Sequence, residues 1–413
     1  GIQSPVTLTP DARRRVEALA DERHASGERL IAVAQKSIET KESYGPADEA
    51  GLELVGFVRV SDAPKETAAA ALKELDRLNT RIVVLTGDIE SVTRHVAGQI
   101  GFNVTGVLNG ADVEGMDEAA LKNAVERVNV FVRITPAHKL RIIKALKSAG
   151  HTVGFMGDGV NDAPALRAAD AGISFESAVD VAREAADIVL LKKNLSVLAD
   201  GIREGRRIFV NTRTYMLATI SSNFGNMLTV AGAALLLPFI PLLPSQILLL
   251  NILSDLPMLA ISTDRVTDED IARPKKWDIS QISHFMYFFG AISSVADYAT
   301  FIVLLIVVHA DRVLFRSGWF LESLLTELVI IFLVRSRRLS WLNRPGPWLV
   351  RASFATVAFG TLFLYTPFRT AFEFVPLGAK LVATIVFIVA GYALLTELGK
   401  VVYFRLKGNG MTV

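Results

Sequence analysis

The stretch Met156-Gly157-Asp158-Gly159-Val160-Asn161-Asp162-Ala163-Pro164-Ala165-Leu166 decides how the rest of the chain is read. Upstream, His151-Thr152-Val153-Gly154-Phe155 has the character of a short apolar strand, and downstream Asp162 and Pro164 are helix-start residues. The run is therefore expected to be a strand-to-helix turn carrying two carboxylates. Asp158 and Asp162, four residues apart, can face one oxygen-loving cation, while the backbone N–H groups of the turn can face an anion. Mg²⁺ suits such a pair, because it takes one or two carboxylates, keeps several waters and completes its shell with phosphate oxygens. An ordinary βα loop, with one aspartate capping a helix and the other flanking a turn, uses the same residues.

The ten-residue string from Gly157 to Leu166 resembles the hinge signature of P-type cation-transporting ATPases, within the wider haloacid-dehalogenase-like phosphotransferase superfamily. The resemblance implies that Asp158 and Asp162 hold Mg²⁺ at a phosphoryl-transfer site, with Asn161 among the catalytic residues.

Composition bounds the rest. A chain of 413 residues with 51% hydrophobic residues and a mean hydropathy of +0.38 is too apolar to be wholly soluble, and its length suits two or three domains. The apolar excess lies almost entirely after residue 214. A net charge of +2 leaves no footprint for nucleic acid. With no cysteine, disulfides and thiolate metal sites are excluded. The chain opens on Gly1 without a basic and then apolar leader, so no signal peptide is expected, and a fragment or one half of a split protein is.

Before residue 50, Thr9 and Pro10 predict the start of a helix over Asp11–Ser26, followed by a strand at Arg29–Gln35. His24-Ala-Ser-Gly-Glu-Arg-Leu-Ile-Ala-Val-Ala resembles the last part of the family's nucleotide-binding domain, which implies that Arg29 reaches the phosphates of ATP. On its own terms Arg29 is a solvated charge at a strand start. Leu52–Val60 is the next strand, then a helix over Glu66–Leu78, then the buried strand Arg81-Ile-Val-Val-Leu85 running into Thr86, Gly87 and Asp88. Strands and helices alternating across short Gly/Asp turns argue for a parallel, doubly wound sheet with ligands at the carboxyl ends of its strands. Thr86 and Asp88 stand at such an end.

Ser61-Asp62-Ala63-Pro64-Lys65 resembles the family's Asp-Pro-Pro-Lys hinge, with Ala63 in place of the first proline, and Thr86-Gly87-Asp88 matches its Thr-Gly-Asp motif. By that resemblance Asp62 steadies the hinge of the nucleotide site, and Thr86 and Gly87 contact the phosphoryl group. Each motif also reads as a turn that ends a strand. Val128–Ile134 is a further strand, and Thr135-Pro136-Ala137-His138-Lys139 opens an amphipathic helix. An ammonium at Lys139 opposes the dipole of its own helix but can offset the charge of an aspartyl phosphate. The family carries its catalytic lysine in this Pro-x-x-Lys context. His138 is expected to be an exposed neighbour rather than a ligand.

Three of the superfamily's four motifs thus stand in order, at Thr86, Lys139, and Asp158 with Asp162. The first, Asp-Lys-Thr-Gly-Thr, occurs nowhere in the chain. The chain therefore has no nucleophile for phosphoryl transfer, and the fragment alone is expected to be inactive. In the family's fold the strand bearing that aspartate lies between the Thr86 and Asp158 strands, so both are expected to lose a partner and leave backbone unpaired. Val179–Leu191 resembles the closing helix and strand of the domain.

From Leu195 to Pro238 the pattern is helical without a break, over about 65 Å at 1.5 Å per residue. Its first half is charged, and its second, Tyr215–Leu237, can span a bilayer. Apolar stretches at Ser245–Thr263, Phe285–Val308, Trp319–Val334, Leu349–Tyr365 and Leu377–Tyr403 raise the expected spans to six. Arg and Lys at Arg265, Arg273, Lys275, Lys276, Arg335, Arg337, Arg338, Arg344, Arg405 and Lys407 mark one side as cytoplasmic.

Polar residues inside spans are costly and mark a pathway, although asparagine and serine also serve as interhelical glue. Ser221, Ser222, Asn223 and Asn226 fall in the first span, and Asn251, Ser254 and Asp255 in the second. Pro257 removes one helical hydrogen bond and frees carbonyl oxygen near Asp255. Asn226, Asn251 and Asp255 form the expected cation site. Asp297, Glu322 and Glu327 could form an accessory one or make contacts between helices.

Asn-Ile-Leu-Ser-Asp-Leu-Pro is similar to the sixth transmembrane helix of P2-type pumps, and Ser-Ser-Asn-Phe-Gly-Asn, Arg-Pro-Lys-Lys-Trp-Asp and Ser-Gly-Trp-Phe-Leu-Glu-Ser resemble the bacterial Mg²⁺-translocating subgroup. A Ca²⁺ pump of the family carries glutamate where Asn226 stands, and less charge suits an ion that dehydrates reluctantly.

The expected fold is an α/β, Rossmann-like (haloacid-dehalogenase-like) phosphorylation domain lacking its first-motif strand, followed by a membrane domain of six helices. Its expected parts are a remnant of the nucleotide-binding domain (1–50), the phosphorylation domain (51–194), a cytoplasmic stalk (195–214) and the transmembrane domain (215–413). By resemblance the chain is the C-terminal half of an ATPase that moves Mg²⁺ across the bacterial plasma membrane, using ATP and Mg²⁺ and needing a missing N-terminal half in cis or in trans. A Ca²⁺ or other cation pump is the alternative, as is a non-catalytic membrane module.

Overall fold

The computed structural model describes residues 9–38, 43–61, 67–192, 194–336 and 339–407. Its contacts divide into two units, Gly1–Gly201 and Ile202–Val413.

The first unit opens with α1 (Pro10–Ala25), whose first turn is closed by Thr9 accepting the N–H of Ala12 at 3.2 Å. Strands β1 (Glu28–Gln35) and β2 (Glu53–Ser61) then pair antiparallel, Glu28 against Ser61. This departs from the parallel sheet expected to include β2. The two strands satisfy one another's backbone groups as a two-stranded ribbon that joins residues on either side of position 50, and Ile31, Val55 and Val58 remain exposed on it.

The rest of the unit alternates as expected: α2 (Ala68–Arg77), β3 (Val84–Leu85), α3 (Glu90–Gln99), β4 (Val107–Asn109), α4 (Gly110–Gly115), α5 (Glu118–Arg127), β5 (Val130–Val132), α6 (Pro136–Ser148), β6 (Gly154–Met156), α7 (Ala163–Ala168), β7 (Ala171–Phe175), α8 (Asp180–Ala185) and β8 (Ile188–Leu190). All pairings among β3 to β8 are parallel, but they make two sheets, ordered β3-β5-β4 and β6-β7-β8. Among the described residues β3 and β6 are therefore edge strands, each paired on one side. Helix α6 ties the two sheets together: Ile142, Ala145 and Leu146 pack with Phe131 and Val125 under one, and Ile143 packs with Phe155 and Leu166 under the other. Leu85 of β3 and Val153 before β6 border both clusters.

Helix α9 (Leu195–Leu236) runs unbroken for 42 residues from the first unit into the second. The second unit continues with α10 (Pro244–Leu259), α11 (Asp268–Ile271), α12 (Ile279–Ile302), α13 (Arg312–Val334), α14 (Pro347–Phe363) and α15 (Ala379–Lys407). Several helices begin earlier than their apolar runs, because polar caps start them: Asp278 accepts the N–H of Gln281 at 3.0 Å and Asp311 that of Leu314 at 2.8 Å.

Helix α13 is the hub. In its most apolar window 83% of residues are buried, against 33–44% in the other three helices that meet the same test, so the others pack around it. Among the described residues, four helical segments can cross a membrane by length and composition: Pro244–Thr263, Ile279–Val307, Arg312–Val334 and Ala379–Arg405. Helix α14, at 17 residues, and the apolar half of α9 are helical as expected but do not meet that measure.

Contacts from residue 206 onward fix α9 against the connection after α10. Arg206 donates to the carbonyl of Ile271 at 2.8 Å and that of Ala272 at 3.1 Å, and Asn211 donates to the carbonyls of Ser262 and Asp264. Asp264 in turn forms a buried ion pair with Arg335 at 2.8 Å and accepts the N–H of Gly346 at 2.6 Å. One aspartate thus gathers the connection after α10, the end of α13 and the start of α14.

Candidate functional site

In the first unit the site grows from the ends of β3, β5 and β6. Thr86 continues β3, its N–H donating to Phe131 O at 2.9 Å. Its hydroxyl donates to Asp88 Oδ2 at 3.0 Å and accepts the N–H of Asp88 at 3.1 Å, so Asp88 orients Thr86 while Gly87 stays exposed between them. The chain leaving β5 bends back on this loop. Arg133 N–H donates to Asp88 O at 2.9 Å and Ile134 N–H to Thr86 O at 3.2 Å.

That bend puts Arg133 at φ 51°, a left-handed conformation that is strained for arginine. Gly110 makes room for it, since a Cβ there would lie 2.4 Å from Arg133 O and 3.0 Å from His138 Nδ1. His138 is consequently buried, at 8% exposure, and not the exposed neighbour expected. It completes a reciprocal cap in which Thr135 N–H donates to His138 Nδ1 and His138 N–H donates to Thr135 Oγ1, both at 3.3 Å.

With α6 so anchored, Lys139 extends from its first turn to Asp162, Nζ to Oδ1 at 2.7 Å. The second oxygen of Asp162 accepts the N–H of Gly159 at 3.2 Å. Gly157 is required by this approach, because a Cβ there would stand 2.5 Å from the Asp162 Cβ. Ser174, fully buried on β7, donates to Gly157 O at 2.9 Å, and Val179 N–H donates to Asp158 O at 3.2 Å. The side chains of Asp158 and Asn161 are exposed.

Backbone hydrogen bonds therefore tie Thr86 to the Ile134–Thr135 segment that opens α6, and Lys139 of that helix bonds Asp162. The close-packed Gly157 cradle and two carboxylates fit an oxygen-seeking Mg²⁺, Asp158 being exposed and Asp162 already engaged by Lys139. Among the described residues no group of three or more His, Asp or Glu assembles. Arg29 lies on β1, and Asp62 lies outside the described residues. Below the site, Asp170 accepts the N–H of Val153 at 2.9 Å and pairs with Lys147 at 2.9 Å.

In the second unit, Asn226 and Asn251 line one small cavity with Asn223, Leu250 and Trp319. Asn226 Nδ2 donates to Glu327 Oε1 at 2.6 Å. Asp255, one turn past Asn251, is exposed and does not line that cavity, although its charge bears on Glu327. Ser254 donates to Asn251 O at 3.2 Å. Pro257 sits inside α10, which continues past it to Leu259. Thr229, three residues past Asn226 on α9, donates to Asp297 Oδ2 at 2.6 Å, and Trp319 Nε1 donates to Asp297 Oδ1 at 2.8 Å.

Thr229, Trp319, Ser174 and the Gly110–Arg133 bend carry this geometry without having stood out in the sequence. Signals existed for Thr229, which shares a helix face with Asn226, and for Trp319, which lies in the Ser-Gly-Trp-Phe-Leu-Glu-Ser motif.

A haloacid-dehalogenase-like unit followed by apolar helices that enclose amide and carboxyl groups defines a class. In both units the chain resembles the P-type cation-transporting ATPases. Residues 7–170 match the haloacid dehalogenase-like hydrolase family and residues 239–402 the C-terminus family of cation transporting ATPases. In particular, the chain is 42% identical over 409 residues, 98% of its length, to the magnesium-transporting ATPase, P-type 1, of Salmonella typhimurium LT2, covering 45% of that protein. It is 42% identical over 401 residues to the protein of the same name from Escherichia coli K12, covering 96% of this chain and 45% of that one. A calcium-transporting ATPase of Bacillus subtilis is 29% identical over 368 residues, 86% of this chain and 41% of the relative. The chain thus spans less than half the length of the relatives it matches.

Proposed function

We propose that this chain supplies the phosphate-handling turn and the ion-binding helices of a pump that couples ATP hydrolysis, through an aspartyl phosphate, to Mg²⁺ transport across a membrane. The observation that carries this reading is α9, a single helix that starts five residues after β8 and bears Asn226 and Thr229 in its apolar half. A motion of the first unit has a continuous rod through which to reach them.

At the phosphate site, Thr86 and Gly87 offer donors to a phosphoryl oxygen and Lys139 offers an ammonium that offsets its charge. Asp162 holds Lys139 in position, and Asp158, exposed beside it, holds Mg²⁺. That ion, when bound, neutralises charge on the transferred phosphoryl group. Asn161, Arg29 and Asp62 complete the proposed set on the phosphate and nucleotide side. The nucleophilic aspartate comes from outside this chain, and its strand fits between the open edges of β3 and β6, over the cluster that Leu85 and Val153 border.

In the second unit, Asn226 and Asn251 receive the transported ion, and Glu327 adds negative charge beside Asn226. Six spans, formed by α9, α10, α12, α13, α14 and α15, put both ends of the second unit on the cytoplasmic side of a bacterial inner membrane. Their basic connections support that orientation.

The test is made on the full-length protein that contains this chain, reconstituted in vesicles and given labelled ATP. An acid-stable phosphoenzyme that forms in the wild type and is lost in Asp158→Asn, together with ATP-driven Mg²⁺ movement, is the expected result. Vesicles that move Ca²⁺ and not Mg²⁺ overturn the choice of ion, and the absence of any phosphoenzyme overturns the pump.

A further inference from the structure

We propose that Trp319 is a specificity-determining residue of the second unit: its indole is the floor of the cavity shared by Asn226 and Asn251, and it keeps a cation there away from the carboxylate of Asp297. The assignment rests on the transport reading above and deepens it.

The cavity leads from exposed to buried residues. Asn223 is exposed on α9, Asn226 and Asn251 are half-buried on α9 and α10, and Trp319, at 1% exposure on α13, closes the inner end with Leu250 and Leu242. Its volume is about 20 Å³. A cavity needs about 10–15 Å³ to hold one water, so this one has no room for a full hydration shell. An ion that enters must exchange most of its water for protein oxygens. Asn226 uses its amide nitrogen on Glu327 Oε1, at 2.6 Å, which leaves the amide oxygen as its cation ligand.

A stronger ligand lies behind the ring. Asp297, 1% exposed on α12, does not line the cavity. Trp319 Nε1 donates to its Oδ1 at 2.8 Å, and Thr229 of α9 donates to its Oδ2 at 2.6 Å. The indole thus borders the cavity and holds the carboxylate at the same time. It has little freedom to swing aside. Phe301 of α12 meets it edge to face, with ring centres 4.8 Å apart, and its neighbour Gly318 lies so near Leu304 that an added Cβ would stand 2.8 Å from the Leu304 Cδ2.

This arrangement discriminates between divalent cations by size and by charge. Mg²⁺ takes its ligands at about 2.0–2.1 Å, whereas Ca²⁺ takes about six to eight oxygens at about 2.3–2.6 Å and binds more tightly as carboxylates are added. A shallow cavity with amides on its walls and an aromatic floor supplies Ca²⁺ with too few oxygens. Removing the floor deepens the cavity as far as Asp297, which adds both room and a carboxylate.

ATP-driven uptake of Mg²⁺ and of Ca²⁺ by the full-length protein in vesicles, each over a range of concentrations, tests the assignment. The wild type is expected to favour Mg²⁺. Trp319→Leu should move the ratio of the two kcat/KM values toward Ca²⁺ by about tenfold or more, the scale on which one pocket contact sets discrimination. Trp319→Phe keeps a ring in place and should leave the ratio near that of the wild type. Combining Trp319→Leu with Asp297→Asn should cancel the gain, because the ligand uncovered is then neutral; lost packing alone would not be reversed in this way. If Trp319→Leu fails to fold, Trp319→Met opens the floor in its place. An unchanged ratio in the opened variant, a shift in Trp319→Phe as large as that in Trp319→Leu, or a gain that survives Asp297→Asn overturns the proposal while leaving transport intact. Wild-type vesicles that move no Mg²⁺ overturn the transport reading and this assignment with it.

Discussion

Lys139 and Asp162, separated by 23 residues, meet at 2.7 Å and join helix α6 to the turn after β6. The pair is mostly buried, at 17% and 13% side-chain exposure. Asp162 thus holds the ammonium that the proposed function sets against phosphate. Replacing Lys139 with Met should lower phosphoenzyme formation in the full-length protein by about 10²–10³-fold, the usual cost of removing one preorganised group from a developing negative charge. Equal rates in rapid-quench assays would exclude Lys139 from the chemistry.

Gly157→Ala should act on the same turn by steric means. The added methyl would stand 2.5 Å from the Asp162 Cβ, so the carboxylate must move and carry Lys139 with it. The Mg²⁺ concentration for half-maximal phosphorylation should rise and the melting temperature should fall, because the Asp162 Cβ is fixed to its backbone and the turn itself must shift. An unchanged Mg²⁺ requirement would mean that the turn tolerates the displacement and does not set the metal site.

Asp170 gives the first unit a pH dependence. Its pKa is lowered from the usual 3.8, chiefly by the hydrogen bond from the Val153 N–H, with burial opposing and Lys147 assisting. A folded-state pKa below the unfolded one contributes stability that is present above the unfolded value and lost as pH falls through the folded value. Asp170→Asn should therefore lower the unfolding midpoint of the full-length protein at pH 7, and its deficit should shrink as pH falls below about 3.8. A deficit constant from pH 7 to pH 3 would show that the carboxylate charge contributes nothing.

Asp264 and Arg335 are 4% and 2% exposed, and removing one member of such a pair strands the other charge. Asp264→Ala should destabilise the second unit by about 3–5 kcal/mol. Thermal unfolding in detergent measures this, and a midpoint equal to that of the wild type would contradict a structural role for the pair.

The parts legible in the sequence were those whose chemistry is local. Thr9 with Pro10, Thr135 with Pro136, and Asp162 with Pro164 each mark a helix start within a few residues, and α9 was visible as one uninterrupted pattern. Distances along the chain hid the rest. Nothing near His138 announces that Gly110 will let it be buried, and nothing near Asn226 announces Glu327, 101 residues away. Strand β2 was assigned to the parallel sheets because alternation with helices dominated, whereas its actual partner is β1. Asp255 stood out as an acid beside a proline, yet its orientation is set by how α10 packs against α13 and α14, which no local pattern encodes.

Mg²⁺ uptake and phosphoenzyme, measured side by side in the full-length protein with Asp158→Asn and with Asn226→Ala, probe the link between the two units most directly. Uptake should be lost in both, while phosphoenzyme should be lost only in Asp158→Asn, because Asn226 serves the ion and Asp158 the phosphate. Undiminished Mg²⁺ uptake in Asn226→Ala, at wild-type expression, would contradict the assignment of the α9 amide to the ion path.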